Sequence, residues 1–333
     1  MVKDNMYYWD VSLKTKEPIW DKYYFFDEII VNPELSKKVK YLRDLIISYC
    51  TAEECKEGEG SRLFLDKIYD IINSVKNIQY TEFIAYWKTL DMTESVFKDF
   101  ANNNKLILEE LLQKYCEKRI KLYNSLGYTD VTIQALYDNG SSRRKGSSAI
   151  TKITDIYNDF FKNSNHPKTI DKFANYDTCY ILPDKGDKEI FYKFIEKYGI
   201  KFAYGKKAQN KKPDFLLKYF NQFFIIEAKH LKEGGGTQYK SVLELIDFVR
   251  ETEDFDNVHY VGFMDGVYFN LFISSSDSKI SSSDSKKKKK DIDKVKSQLT
   301  SIKDILAKNK NNFIVNTGGL KALFKDLAEE KQK

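Results

Sequence analysis

Between about residues 34 and 138, apolar residues return every three or four positions, in YLRDLIISYC, FLDKIYDIINSV and LILEELLQKYCEKRIKLY. That is the period of a helix face meeting a core, so this stretch predicts a largely helical region. The segment ahead of it, with Trp9, Trp20 and the run YYFFDEIIV, is aromatic and less regular. The pattern stops at DNGSSRRKGSS, residues 138–148, which holds no apolar side chain and reads as a loop or domain boundary. AITKITDIYNDFF resumes the helical period, and EIFYKFIEKYGI repeats it with Gly199 placed as a C-cap.

Beyond Gly199 the texture changes. IKFAY, DFLLKYF and FFIIEAKH are short, β-branched and aromatic, and predict strands. KSVLELIDFVR returns to helix, with Val242, Leu245, Ile246 and Val249 on one face. VHYVGFM and VYFNLFI flank Asp265-Gly266, and such a two-residue link predicts a β-hairpin, because its turn needs positive φ. Residues 274–290, SSSDSKISSSDSKKKKK, are low in complexity and read as a disordered linker or long exposed loop, with the lysine run solvated. IDKVKSQLTSIKDIL then predicts a helix, FIVN a strand and LKALFKDLAEE a final helix. No internal repeat is present.

Composition changes this picture little. With 333 residues, 42% of them hydrophobic, the chain can bury a sizeable core in one large domain or two modest ones. A formal net charge of +6 permits a polyanionic partner without demanding one. Cys50, Cys55, Cys116 and Cys179 lack C-x-x-C spacing, which argues against structural zinc and for free thiols. MVKDNMYYWD has no apolar signal core, and no stretch approaches the roughly 18 apolar residues of a membrane span. The expectation is a soluble cytoplasmic protein without a membrane partner.

Candidate chemistry concentrates in one place. Pro213-Asp214 opens DFLLKYF, and Glu227-Ala228-Lys229 closes FFIIEAKH. Paired antiparallel through a tight turn near Asn221 and Gln222, these strands set Asp214 beside Glu227. Strand residues two apart share a face, so Lys229 joins Glu227 while Ala228 points into the core. Two carboxylates and the Ala228 backbone carbonyl are hard ligands suited to magnesium. Lys229 could hold or deprotonate an attacking water and stabilise a pentavalent phosphorus. By alternation His230 points away from Lys229, which favours a structural role. No G-x-x-x-x-G-K-[ST] loop and no Ser-His-Asp arrangement stands out.

These residues resemble the PD-(D/E)xK nuclease superfamily, and within it the type II restriction endonucleases, over about residues 195–272. The resemblance extends to Gly234-Gly235-Gly236 and to Thr237-Gln238-Tyr239-Lys240-Ser241 opening a helix. Glycines and a helix N-terminus suit a close phosphate, and Gln238, Lys240 and Ser241 add donors. A flexible turn capped by Thr237 is the plainer account of the same letters. Upstream, the segment around Arg143, Arg144 and Lys145 is similar to one that leads into the first core helix of such enzymes, where these side chains would contact DNA phosphates. The family often places a further metal-binding Glu in that helix; residues 147–162 contain none, and Asp155 and Asp159 are the available substitutes.

The resemblance implies an α/β (α+β) restriction-endonuclease-like core, a mixed central sheet flanked by helices, with a largely helical N-terminal region. The expected division is a helical region over 1–140 that reads DNA, a catalytic core over 141–273, a linker over 274–290 and a helical segment over 291–333. The implied activity is Mg2+-dependent, sequence-specific cleavage of double-stranded DNA by a homodimer, with a DNA methyltransferase as genetic companion. Another nuclease of this superfamily (repair, nicking or phage-defence) and a non-catalytic DNA-binding protein are the alternatives.

Overall fold

The computed structural model describes every residue except 1–2, 25–27, 91, 121–129, 140–147, 162–164, 208–210, 233–235, 277–285 and 331–333. Contacts divide the chain into two units, Phe26–Arg144 and a second made of Met1–Phe25 with Lys145–Lys333.

The chain begins with α1 (Asn5–Lys14), which belongs to the second unit. The first unit is helical: α2 (Pro33–Glu54), α3 (Gly58–Ser74), α4 (Glu82–Trp87), α5 (Glu94–Asp99), α6 (Asn104–Lys118) and α7 (Asp130–Asn139). Asn32 caps α2 by accepting the Leu35 N–H, and Pro33 fits the first helical turn, where no N–H partner is needed. Its core gathers the apolar stripe the sequence shows, including Leu42, Ile46, Ile68, Leu108 and Leu112, around the buried rings of Phe83 and Trp87. Cys50 of α2 and Cys116 of α6 form a disulfide with Cα atoms 5.8 Å apart. Free thiols were expected throughout; packing of α2 against α6 brings together two cysteines whose separation in sequence concealed the pair. Cys55 and Cys179 are free.

The second unit continues with α8 (Ser148–Phe160), α9 (Ile170–Asn175), β1 (Thr178–Ile181), α10 (Lys188–Tyr198), α11 (Ala203–Lys207), β2 (Phe215–Tyr219) and β3 (Gln222–His230). It closes with α12 (Gly236–Val249), β4 (Val258–Asp265), α13 (Asn270–Ser276), α14 (Lys286–Lys308), β5 (Phe313–Val315) and α15 (Thr317–Glu330). The strands form one mixed sheet in the order β1-β2-β3-β4-β5. β2 runs antiparallel to both β1 and β3, whereas β4 is parallel to β3 and β5 is parallel to β4. Central β3 is apolar on both sides because both sheet faces are covered. Phe223 and Ile225 pack with residues of α10, α12 and α14, while Phe224 and Ile226 pack with residues of α8 and α15.

Two strand expectations are corrected. VYFNLFI is not the second arm of a hairpin: Val267–Phe269 is a 3-10 turn leading into α13. Phe269, Phe272 and Ile273 are buried at helical spacing, and a short apolar run does not by itself distinguish strand from helix. IKFAY is not a strand either. The backbone N–H groups of Lys201 and Phe202 donate to the Glu253 carboxylate at 2.7 and 3.0 Å, and helix α11 follows. Residues 277–285 of the expected 274–290 linker lie outside the described residues; α13 runs to Ser276 and α14 begins at Lys286.

By contact, residues 1–25 and 291–333 belong to the sheet unit. Tyr8 and Trp9 of α1 are fully buried in the packing on the two sheet faces. Asn5 donates to the carbonyls of Leu306, Asn309 and Asn312, tying α1 to the end of α14. A Cβ at Gly319 would run into Ser12, so this glycine permits α1 and α15 to approach closely. Among the described residues no helix is long and apolar enough to cross a membrane.

Candidate functional site

The β2–β3 hairpin turns at Phe220 and Asn221, with Tyr219 opposite Gln222 and Phe215 opposite Ile226. One step further along this register Asp214 meets Glu227. The Ala228 N–H donates to Asp214 Oδ2 at 2.8 Å, fixing that carboxylate against the strand end. Lys229 Nζ lies 3.2 Å from Glu227 Oε1. The structure therefore brings Asp214, Glu227 and Lys229 together.

Two further charges complete the cluster. Lys211, just before Pro213, also pairs with Glu227 Oε1. Glu244 of α12 holds Lys229 Nζ at 2.9 Å and lies 4.0 Å from Lys211. Sequence reasoning missed both. Glu244 carried a usable signal, because it falls one helical turn after Lys240 and Ser241, the residues singled out on that helix. Lys211 carried none, since it precedes the strand in an irregular segment.

The electrostatics are unbalanced. Glu227 is only 2% exposed, and its Oε2 is buried without a hydrogen-bond partner. Burial, with the Glu227 carboxylate beside it, pushes the Asp214 carboxyl up to about 7; the Ala228 N–H, Lys229 and Lys211 offset only part of this. Burial alone would lower the Lys229 ammonium, but Glu227 and Glu244 outweigh that and hold it above the ordinary lysine value. The Tyr204 hydroxyl is pushed up to about 12 by burial and by the same acids.

An unpartnered buried carboxylate oxygen beside a second, destabilised carboxylate is a donor set that fits a hard divalent cation. Among the described residues, no group of three or more His, Cys, Asp or Glu side chains is disposed to hold a metal. A cation here would use two carboxylates and complete its shell with backbone carbonyl and water.

The other candidates are placed as follows. Gln238, Lys240 and Ser241 lie on the first turns of α12, the helix that carries Glu244. Residues 233–235 ahead of them, and Arg143, Arg144 and Lys145, lie outside the described residues. Asp155 accepts a hydrogen bond from the Tyr23 hydroxyl at 2.8 Å, and Asp159 is exposed on the same helix. Their helix, α8, packs on the sheet face opposite Glu227, away from the Asp214–Glu227 pair.

His230 turns to that opposite face. Its Nδ1 meets Asp265 Oδ1 at 2.6 Å, and its ring stacks on Tyr24 with centroids 3.6 Å apart. Asp265 also accepts from the Tyr24 hydroxyl at 2.7 Å and faces Lys152 Nζ at 3.2 Å. Lys152 pairs in addition with Asp21 at 2.6 Å and Glu17 at 3.3 Å. Glu17 in turn accepts from the backbone N–H and hydroxyl of Thr317 at the start of α15.

No family model matches the chain, and comparison with curated proteins and with solved structures returned no match.

Proposed function

We propose that this protein is a magnesium-dependent DNA endonuclease of the PD-(D/E)xK kind, acting as a type II restriction enzyme. The observation that carries the reading is the buried, unpartnered Glu227 Oε2 beside Asp214, with the Lys229 ammonium 3.2 Å from the same carboxylate. A mixed sheet flanked by helices, as the resemblance implies for a restriction-endonuclease-like core, supports it.

In this reading Asp214, Glu227 and the Ala228 carbonyl hold Mg2+, which supplies charge neutralisation at the phosphate and a more acidic attacking water. The protein's own groups do the rest. The Ala228 N–H orients Asp214 for its share of the site. Lys229, held as an ammonium by Glu227 and Glu244, acts as a donor: it positions the attacking water and stabilises charge on the pentavalent phosphorus. Its raised pKa weighs against removing the water's proton. Glu244 fixes the ammonium from the α12 side. Gln238, Lys240 and Ser241 on α12, with Arg143, Arg144 and Lys145, contact the DNA backbone and set register, while base identity is read elsewhere. A two-fold site on DNA calls for a homodimer, and a methyltransferase protects the host sequence.

The test is cleavage of unmethylated phage DNA with magnesium by the wild type, Asp214→Ala and Lys229→Ala. Discrete fragments lost in both variants support site-specific restriction. A smear lost in both keeps the chemistry and points to a repair, nicking or defence nuclease. No magnesium-dependent cutting by folded wild type at low salt would overturn the enzyme reading in favour of a DNA-binding protein.

A further inference from the structure

Glu227 is held by two ammonium groups on one oxygen, and the two are not equivalent. Lys229 is part of β3, is 20% exposed, and has a second anchor in Glu244 at 2.9 Å. Lys211 lies in the irregular segment before Pro213, is 34% exposed, and reaches Glu244 only at 4.0 Å. The Tyr204 ring centroid lies 5.9 Å from its Nζ, a cation–π partner that does not depend on Glu227. A divalent cation on Glu227 would set two more positive charges against both lysines. Like charges gathered in one partly buried site repel, and Lys211 is the less anchored of the two ammoniums.

We propose that Lys211 is the site's built-in counter-ion: it neutralises Glu227 when no divalent cation is bound and is displaced by that cation. This rests on the nuclease reading for its cation, and it makes Lys211 a positioning residue rather than a metal ligand. It accounts for a buried carboxylate held in place by an ammonium partner, ready for a ligand. The consequence is a competition: metal affinity is set partly by the ammonium the metal must expel.

Calorimetric titration with Mg2+ and with Mn2+, without DNA, tests it on the full chain. The variants are Lys211→Met, Lys211→Arg and Asp214→Asn, each first checked for a cooperative thermal transition. Lys211→Met should bind either metal more tightly than wild type, by about tenfold if one competing ion pair is removed. Lys211→Arg should stay near wild type, and Asp214→Asn should lose binding. If Lys211→Met binds equally or more weakly while Asp214→Asn abolishes binding, the counter-ion role is wrong and the metal site stands. If neither wild type nor Lys211→Met binds either metal, the metal reading itself falls, and the proposal with it.

Discussion

Two polar clusters lie back to back at the end of β3, fed by alternate residues of one strand. On one face stand Glu227 and Lys229 with Asp214, Lys211 and Glu244; on the other, His230 with Asp265, Lys152, Glu17, Asp21 and Tyr24. The second cluster is a closed account of donors and acceptors. Lys152 is 4% exposed and Glu17 and Asp265 are both at 0%, yet each has several partners. In the first, Lys211 is 34% and Glu244 51% exposed, and the most buried carboxylate has an oxygen with none. Buried charge that is fully partnered holds a fold together. Buried charge left short of a partner is what a ligand can complete.

Substitutions sharpen this contrast, beginning with the largest effect. Asp214→Ala and Lys229→Ala should each lower magnesium-dependent DNA cleavage by at least about 10^3-fold, because each removes charge stabilisation made at the reacting phosphate. Chemical denaturation should show Asp214→Ala at least as stable as wild type, since a destabilised carboxylate is removed. Equal losses of activity and stability would erase the distinction between the faces.

Lys152→Ala should do the opposite. It strands three acids in the interior and should cost roughly 3 kcal/mol or more of unfolding free energy. The urea midpoint measures this, and a midpoint unchanged from wild type would mean the second cluster is not structural.

Gly266→Ala probes the turn between the two. Gly266 has φ of 94°, and an added Cβ would press on the Leu231 carbonyl oxygen and the His230 ring. The expected cost is about 2 kcal/mol, read as a lower melting temperature.

The remaining effect is a pH dependence. In the metal-free protein the Asp214 carboxyl sits at about 7 against an ordinary 3.8. A folded value above the unfolded one means stability that is fully present below the ordinary value and lost as pH rises through about 7. Metal-free wild type should therefore lose thermal stability between about pH 4 and pH 7 relative to Asp214→Asn. Parallel profiles for the two proteins would show that Asp214 is not destabilised.

Much of this molecule is legible along the chain. The 3.6-residue stripe over 34–138 corresponds to α2 to α7, and the alternation in EAK puts Glu227 and Lys229 on one face. The antiparallel β2–β3 pair follows from two apolar runs and the short link between them. β1, with four residues in TCYI, gave too short a signal to stand out, and it exists because β2 offers it an edge.

What the sequence determined by itself was local: period, alternation, and the chemical groups held at one strand end. Tertiary structure decided everything that depends on residues far apart in the chain. It closed the Cys50–Cys116 disulfide, and it made VYFNLFI a helix by burying Phe269, Phe272 and Ile273 on one side. It drew α1, β5 and α15 into the sheet unit, and it set Lys211 and Glu244 against Glu227 and Lys229. The reason is physical. Backbone geometry fixes which neighbours share a face within a few residues, whereas burial and ion pairing depend on which surfaces meet, and no local pattern carries that information.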